Sequence, residues 1–151
     1  MAFATMRNNR RTWELLSMIN PVNHSRTFDD ATIYKVEPYA VAADIYAAEK
    51  HVGRGGWTWY TGSAGWMYQL ILESFLGLKR EKNILRIEPC VPAEWKSFTV
   101  HYRYEQTTYH ITVEQSGGNS EAGIIVDGNS QVDNSIHLLN DHNEHIVQLS
   151  I

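Results

Sequence analysis

Residues 98–113 read Phe98-Thr99-Val100-His101-Tyr102-Arg103-Tyr104-Glu105-Gln106-Thr107-Thr108-Tyr109-His110-Ile111-Thr112-Val113. Phe98, Val100, Tyr102 and Tyr104 alternate with Thr99, His101 and Arg103. After Glu105-Gln106, Tyr109, Ile111 and Val113 alternate with His110 and Thr112. A period of two puts the apolar residues on one face of a strand, so the stretch predicts two strands joined by a turn. Toward the C-terminus, His145, Val147, Leu149 and Ile151 alternate with Ile146, Gln148 and Ser150. Turn material separates the runs at Ser116-Gly117-Gly118-Asn119, Asp127-Gly128 and Asn140-Asp141-His142-Asn143. Five or six short strands at this spacing predict an antiparallel sandwich or half-sandwich.

Toward the N-terminus the period lengthens to that of a helix. Trp13, Leu16 and Ile19 or Asn20 share a face between Arg10 and Ile19, and Asn20-Pro21 stops the run. Pro38 suits a first helical position, followed by Tyr39, Ala43, Tyr46 or Ala47, and Lys50 at three-to-four spacing. Ala40, Ala42, Ala43, Ala47 and Ala48 in this second element permit close helix packing. A third helix is predicted after Thr61-Gly62-Ser63, with Trp66, Met67, Leu70, Ile71, Ser74, Phe75 and Leu78 as an apolar stripe and Gly77 near its end. The fold class expected is α+β in sequence order, helices over 1–80 and strands over 81–151, with the boundary around Gly77–Asn83.

At 151 residues the chain is too short for a complete large enzyme barrel with accessory domains. Its 43% hydrophobic and 20% charged content is that of a globular protein rather than a disordered tail. No apolar run approaches the ~18 residues of a spanning helix, and no secretory signal is visible at the start. Net charge is −4, with residues 1–80 carrying nine Lys/Arg against seven Asp/Glu and residues 81–151 four against ten. No basic face is concentrated enough to serve a nucleic acid. Cys90 is the one cysteine, so it has no internal disulfide partner, and it reads as a small buried hydrophobe.

The segment His51-Val52-Gly53-Arg54-Gly55-Gly56-Trp57-Thr58-Trp59-Tyr60-Thr61-Gly62-Ser63-Ala64-Gly65-Trp66 holds three of the five tryptophans and five of the ten glycines. Flat aromatic faces stack on sugar rings, and a Gly-rich loop entering a helix offers backbone N–H groups to an anion. The segment reads either as a site for a sugar beside a phosphate or as a tight turn packed by core tryptophans. Asn20-Pro21-Val22-Asn23-His24 reads as a helix terminator with a satisfied histidine, or as a ligand loop. Tyr34-Lys35-Val36-Glu37-Pro38-Tyr39 sets a cation, a carboxylate and phenols together, to meet a polyhydroxylated substrate or to cap a helix. Five of the seven histidines lie in the strand half without an HxH or HExxH pattern, so no metal site is expected. No GxSxG, Walker A or dinucleotide fingerprint occurs. Glu37 and Asp44 are seven apart and suit one helix face, yet nothing marks either as a general acid.

Lys35-Val36-Glu37-Pro38-Tyr39, Ala42-Ala43-Asp44-Ile45-Tyr46 and Gly53-Arg54-Gly55-Gly56-Trp57-Thr58-Trp59-Tyr60-Thr61-Gly62-Ser63-Ala64-Gly65-Trp66-Met67-Tyr68 resemble the family 94 glycoside phosphorylases. That family includes cellobiose, chitobiose and oligo-β-1,2-glucan phosphorylases and the C-terminal module of cyclic β-1,2-glucan synthases. Asn20-Pro21-Val22-Asn23-His24 and the wording of His51–Trp59 resemble the β-1,2-glucan branch. Leu85-Arg86-Ile87-Glu88-Pro89, Trp95, Tyr102-Arg103-Tyr104, Asp127-Gly128 and His145-Ile146-Val147 extend the resemblance over essentially the whole chain.

The resemblance implies the last helices of an (α/α)6 catalytic barrel over 1–80 and a small antiparallel β-sandwich over 81–151. It implies phosphorolysis with inversion, releasing α-glucose 1-phosphate, with inorganic phosphate as co-substrate and no other cofactor. By the same resemblance Thr61 and Gly62 are phosphate-binding, and Glu37, Tyr39 and Trp59 are substrate-binding. No catalytic residue is carried over, because the family's general acid, an aspartate, lies in an earlier segment. So does its phosphate-binding histidine, which excludes His24 and His51 from that role. The partners implied are a β-glucan oligosaccharide, phosphate and an N-terminal catalytic portion, in the cytoplasm or at the cytoplasmic side of the inner membrane. The chain is then a fragment of a longer enzyme or a truncated reading frame, expected to be inactive alone and to self-associate through uncovered barrel faces. The rival expectation is a non-catalytic module that binds carbohydrate or stabilises a partner.

Overall fold

In the computed structural model, residues 2–115 and 123–151 are described. The expected turn at Ser116-Gly117-Gly118-Asn119 lies outside the described residues. The chain divides into two compact units, Met1–Phe75 and Leu76–Ile151.

In the second unit the alternation of the sequence becomes a pleat. Strands β3 (Ser97–Tyr104) and β4 (Thr107–Glu114) pair antiparallel, with His101 opposite His110 and Val100 opposite Ile111. Thr107, Tyr109, Ile111 and Val113 are buried, while Phe98, Val100, Tyr102 and Tyr104 are half-buried because β3 lies at the sheet edge. The five-stranded sheet runs β3-β4-β8-β5-β6, where β5 is Gly123–Val126, β6 Asn129–Ser130 and β8 Glu144–Ser150. A second sheet runs β1-β2-β7, made of Leu78–Glu81, Ile84–Ile87 and Ser135–His137. Leu78, Leu85, Ile87, Ile136 and Leu138 from the smaller sheet and its flank join Tyr109, Ile111, Val113, Ile124, Val147 and Leu149 in one core. Each fully buried aliphatic side chain contributes ~1.5–3 kcal/mol, so this core is the main source of stability in the unit.

Three expectations for this unit need correction. Eight strands, not five or six, are present among the described residues, and β4 and β8 run parallel. Parallel neighbours require a crossover rather than a hairpin, and the chain supplies it by passing through β5, β6 and β7 before returning. Leu78, expected on a helical stripe, opens β1 instead. Gly77, at φ +75°, makes the change of direction, and a Cβ there would stand 2.1 Å from the Glu88 carbonyl oxygen.

The first unit contains α1 (Ala2–Thr5), α2 (Asn9–Ile19), α3 (Phe28–Tyr34) and α4 (Thr61–Gln69), the last continuing as a π turn over Leu70–Phe75. Helix α2 is capped by Asn8, whose side chain accepts from the Arg11 amide at 3.1 Å, and it ends at Asn20-Pro21 as expected. Helix α3 begins with a full capping box, in which Thr27 and Asp30 satisfy one another's backbone amides. No helix of the described residues is long and apolar enough to cross a membrane.

The helix expected from Pro38 to Lys50 does not form. Instead residues 43–57 fold back on themselves, with the Ala43 amide donating to Trp57 O (2.7 Å), Tyr46 to Arg54 O (2.8 Å) and Gly56 to Asp44 O (2.9 Å). Alanine's helical preference is worth only tenths of a kcal/mol per residue, whereas each tertiary hydrogen bond nets ~0.5–1.5 kcal/mol. The glycines make the return possible: a Cβ on Gly55 would meet Val36 at 2.5 Å, and one on Gly56 would meet the Asp44 carboxylate at 1.9 Å. Glu37 and Asp44 therefore share no helix face.

Candidate functional site

Helix α4 starts at Thr61 with Tyr60 as its N-cap, and Tyr60 makes no side-chain cap bond. The first intrahelical contact is the Ala64 amide to Tyr60 O at 3.3 Å. First-turn amides have no acceptor within a helix, so those of residues 61–63 face outward from its positive end. Gly62 is exposed, and a Cβ on it would meet nothing within 4 Å, so the space over this turn is open. The expectation that Thr61-Gly62 precedes the helix is corrected by one turn: the pair forms its first two residues.

Beside this end lies a pocket of about 170 Å³ lined by Tyr39, Ala40, Val41, Trp59, Tyr60 and Ala64. Tyr39 and Trp59, distant in sequence, meet edge to face with ring centroids 6.1 Å apart, and Trp57 meets Tyr60 at 5.6 Å. Trp59 holds φ +64°, a left-handed conformation that is uncommon for a large side chain and clusters at binding sites. Tyr39 is 72% exposed and Trp59 69% exposed, while Trp57 and Trp66 are exposed too. The reading of this segment as a turn packed by core tryptophans therefore fails. Glu37 is exposed two residues before Tyr39 and lies outside the pocket lining. The structure thus gathers Tyr39 and Trp59 at one pocket, with Thr61-Gly62 at the adjoining helix end.

Sequence reasoning missed Ala40 and Val41, because it assigned residues 38–50 to a helix, and gave no role to Tyr60 and Ala64. Tyr60 carried a signal, being an aromatic between the quoted tryptophans and the helix start. Tyr34 anchors the fold-back of residues 43–57: it is buried, stacks on His24 (5.0 Å, 19°), and its backbone oxygen accepts from Gly55 at 2.9 Å. Its hydroxyl makes no hydrogen bond of good geometry, and burial raises its pKa, tempered by the nearby Ala42 backbone. No helix follows residues 34–39, so the loop caps none after it; Lys35 instead closes α3 from a left-handed conformation, its amide donating to Ala31 O at 2.9 Å. His24, in the 3₁₀ turn Pro21–His24, donates from Nε2 to Met18 O (2.7 Å), the satisfied terminator of the two alternatives.

The second unit holds a different polar cluster. His145 bridges Asp127 and Asp141, and on the outer face His101 Nδ1 lies 2.7 Å from His110 Nδ1, whose Nε2 is 3.1 Å from Glu144. Asp127 forms the expected hairpin turn with Gly128, but its carboxylate does more than the turn requires. Among the described residues, no group of three or more His, Cys, Asp or Glu is placed to hold a metal ion. Cys90 is buried.

Residues 1–77 match the model of the glycosyl hydrolase 94 superfamily catalytic domain. The chain is 41% identical over 137 residues to the cyclic beta-(1,2)-glucan synthase NdvB of Rhizobium meliloti, covering 91% of this chain and 5% of that protein. It is 30% identical to the N,N'-diacetylchitobiose phosphorylase of Vibrio furnissii over 85% of this chain and 16% of that protein. It is 26% identical to the 1,2-beta-oligoglucan phosphorylase of Listeria innocua over 86% of this chain and 13% of that protein. The chain therefore spans a small part of the length of each of these relatives.

Proposed function

The chain belongs to the glycosyl hydrolase 94 superfamily, and from that premise we propose that it supplies phosphate and sugar contacts to an inverting phosphorolysis of β-glucans, β-1,2-linked by preference. In this reading residues 1–80 are the last helices of an (α/α)6 barrel and residues 81–151 its C-terminal β-sandwich. The observation that carries the proposal is the pocket joining Tyr39 and Trp59 beside the open first turn of α4. Aromatic rings there hold the C–H face of a glucose unit; the role of Glu37 at its hydroxyl rim rests on the family resemblance alone, since it lies outside the lining. The amides at Thr61-Gly62 and the positive helix end hold phosphate.

Phosphorolysis forms a bond from a phosphate oxygen to the anomeric carbon as the glycosidic C–O bond breaks on the opposite face. The leaving oxygen takes a proton, and such proton delivery is worth 10²–10⁴-fold. That acid belongs to a catalytic portion outside this chain, so the chain is the phosphate- and sugar-binding part of a larger cytoplasmic or inner-membrane-associated enzyme. The apolar side chains its helical unit exposes favour association with that portion or with a second copy, which light scattering reads directly.

The test is phosphate dependence in an enzyme completed with a catalytic portion. Thr61→Val with Gly62→Ala is expected to raise the apparent KM for phosphate severalfold, with much less change for the glucan. Unchanged phosphate dependence removes the assignment. The chain alone is expected to release no glucose 1-phosphate from β-1,2-glucooligosaccharides. The exposed Trp57, Trp59 and Trp66 equally favour a second reading, a carbohydrate-binding module without chemistry. Unaltered turnover in the double variant, with glucan binding lost in Trp59→Ala, supports that alternative.

A further inference from the structure

The imidazole of His145 stands between two carboxylates, with Nδ1 2.6 Å from Asp127 Oδ2 and Nε2 3.1 Å from Asp141 Oδ2. Both carboxylates are held by other donors. Asp127 Oδ1 accepts from the Ile146 amide at 2.8 Å. Asp141 Oδ1 accepts from the Thr107 hydroxyl (3.0 Å) and the Asn143 amide (3.1 Å), and its Oδ2 accepts from Asn143 Nδ2 (3.1 Å). An ionised carboxylate only accepts hydrogen bonds, and a neutral imidazole has one N–H. A ring that serves both acceptors must therefore carry a proton on each nitrogen. The side chain is only 14% exposed and stacks on Tyr109 with centroids 4.9 Å apart and planes 23° apart, so it does not swing into water.

Three elements face this ring: the turn after β5 through Asp127, the loop before β8 through Asp141, and β4 through Tyr109. We propose that His145 is a proton-operated clasp, tying the Asp127 turn to the Asn140–Asn143 loop when doubly protonated and releasing the Asp141 side when it loses a proton. The shorter Asp127 contact keeps the remaining N–H. The Nε2 lone pair then faces a carboxylate, and the two repel. Thr107 and Asn143 still hold Asp141, so the loop stays folded but is uncoupled from the turn.

The charges fit this reading. The bond to Asp127 raises the His145 pKa above its usual value, against a partial desolvation, and Asp141 assists. Asp141 is lowered to about 2, chiefly by the Asn143 amide and side chain, and Asp127 is lowered chiefly by His145. For a raised histidine, the stabilisation is fully present below the unfolded value near 6.5 and fades as pH rises through the folded value. For the two lowered aspartates, stabilisation is present above their unfolded values and is lost as pH falls through the folded ones.

The experiment is a titration of the full chain labelled with ¹⁵N-histidine, followed by NMR. Expected are two protonated ring nitrogens on His145 at pH 6.5, a midpoint above that pH, and backbone amide shifts of residues 140–143 that follow the same midpoint. The Ile146 amide, bonded to Asp127, is expected to move much less. Asp141→Asn is expected to lower the His145 midpoint, and His110→Gln, which removes the neighbouring pair with Glu144, to leave it in place. A His145 that is singly protonated at pH 6.5, or loop amides that ignore its titration, overturns the clasp.

Discussion

The two units of this chain handle apolar residues in opposite ways. Among the described residues, the helical unit buries five hydrophobic side chains and exposes fifteen large ones, while the sheet unit buries thirteen and exposes five. Helix α4 makes the contrast local: none of residues 62–69 is buried, whereas alternate residues of β4 are. The sheet unit has its own core, and its side chains answer to that core. The helical unit is held by caps, loop hydrogen bonds and a few packed aromatics such as Trp13 on Phe75 (5.5 Å). Its exposed tyrosines and tryptophans are thereby left for a ligand or a neighbour. The unit with the weaker core carries the candidate site.

Four substitutions test how deep that difference runs. Ile111→Ala, inside the sheet core, is expected to cost ~2–5 kcal/mol, and Trp66→Ala, on the exposed helix, to stay within ~0.5 kcal/mol. Denaturant melts of the two variants read this directly, and equal losses would break the comparison. Gly56→Ala forces a Cβ into the Asp44 carboxylate, so the 43–57 fold-back should weaken by ~1–3 kcal/mol, seen as faster proteolysis within it. Unchanged proteolysis would mean that the loop bends freely and does not position Trp59. Thr27→Ala removes one half of the α3 capping box, and ~1 kcal/mol should go from the helical unit alone in thermal circular dichroism.

The sheet unit was largely legible because period two is a local property with one outcome. Phe98–Tyr104, Tyr109–Val113 and His145–Leu149 all lie within strands, and Glu105-Gln106 and Asp127-Gly128 both turn. The parallel pairing of β4 and β8 was not legible, since it depends on the order in which distant strands meet. In the helical unit, Pro38 and the following alanines gave a helical spacing that carried no information about Gly55 and Gly56 closing on Tyr34 and Asp44. The capping box of α3 is written locally in Thr27-Phe28-Asp29-Asp30. For the site, Tyr39, Trp59 and Gly62 were nameable through the family resemblance, but the pocket shared by Tyr39 and Trp59 was not, because it exists only once residues 38–50 are not a helix. The His145 clasp joins residues 18 and 4 positions away through side chains alone, which no periodicity announces.

Strand β8 follows every strand it joins, yet it occupies the middle of its sheet, between β4 and β5. During synthesis, β3 and β4 can zip as a hairpin as soon as they emerge, and β5 with β6 likewise. The inner edges of those hairpins then wait, unpaired and apolar, until residues 144–150 arrive. Such long-range closure is slow, and an open edge is a template for pairing with another chain. The nascent sheet unit is consequently most exposed to aggregation in the interval before residues 144–150 leave the ribosome, and a chaperone that shields strand edges would act on it at that moment.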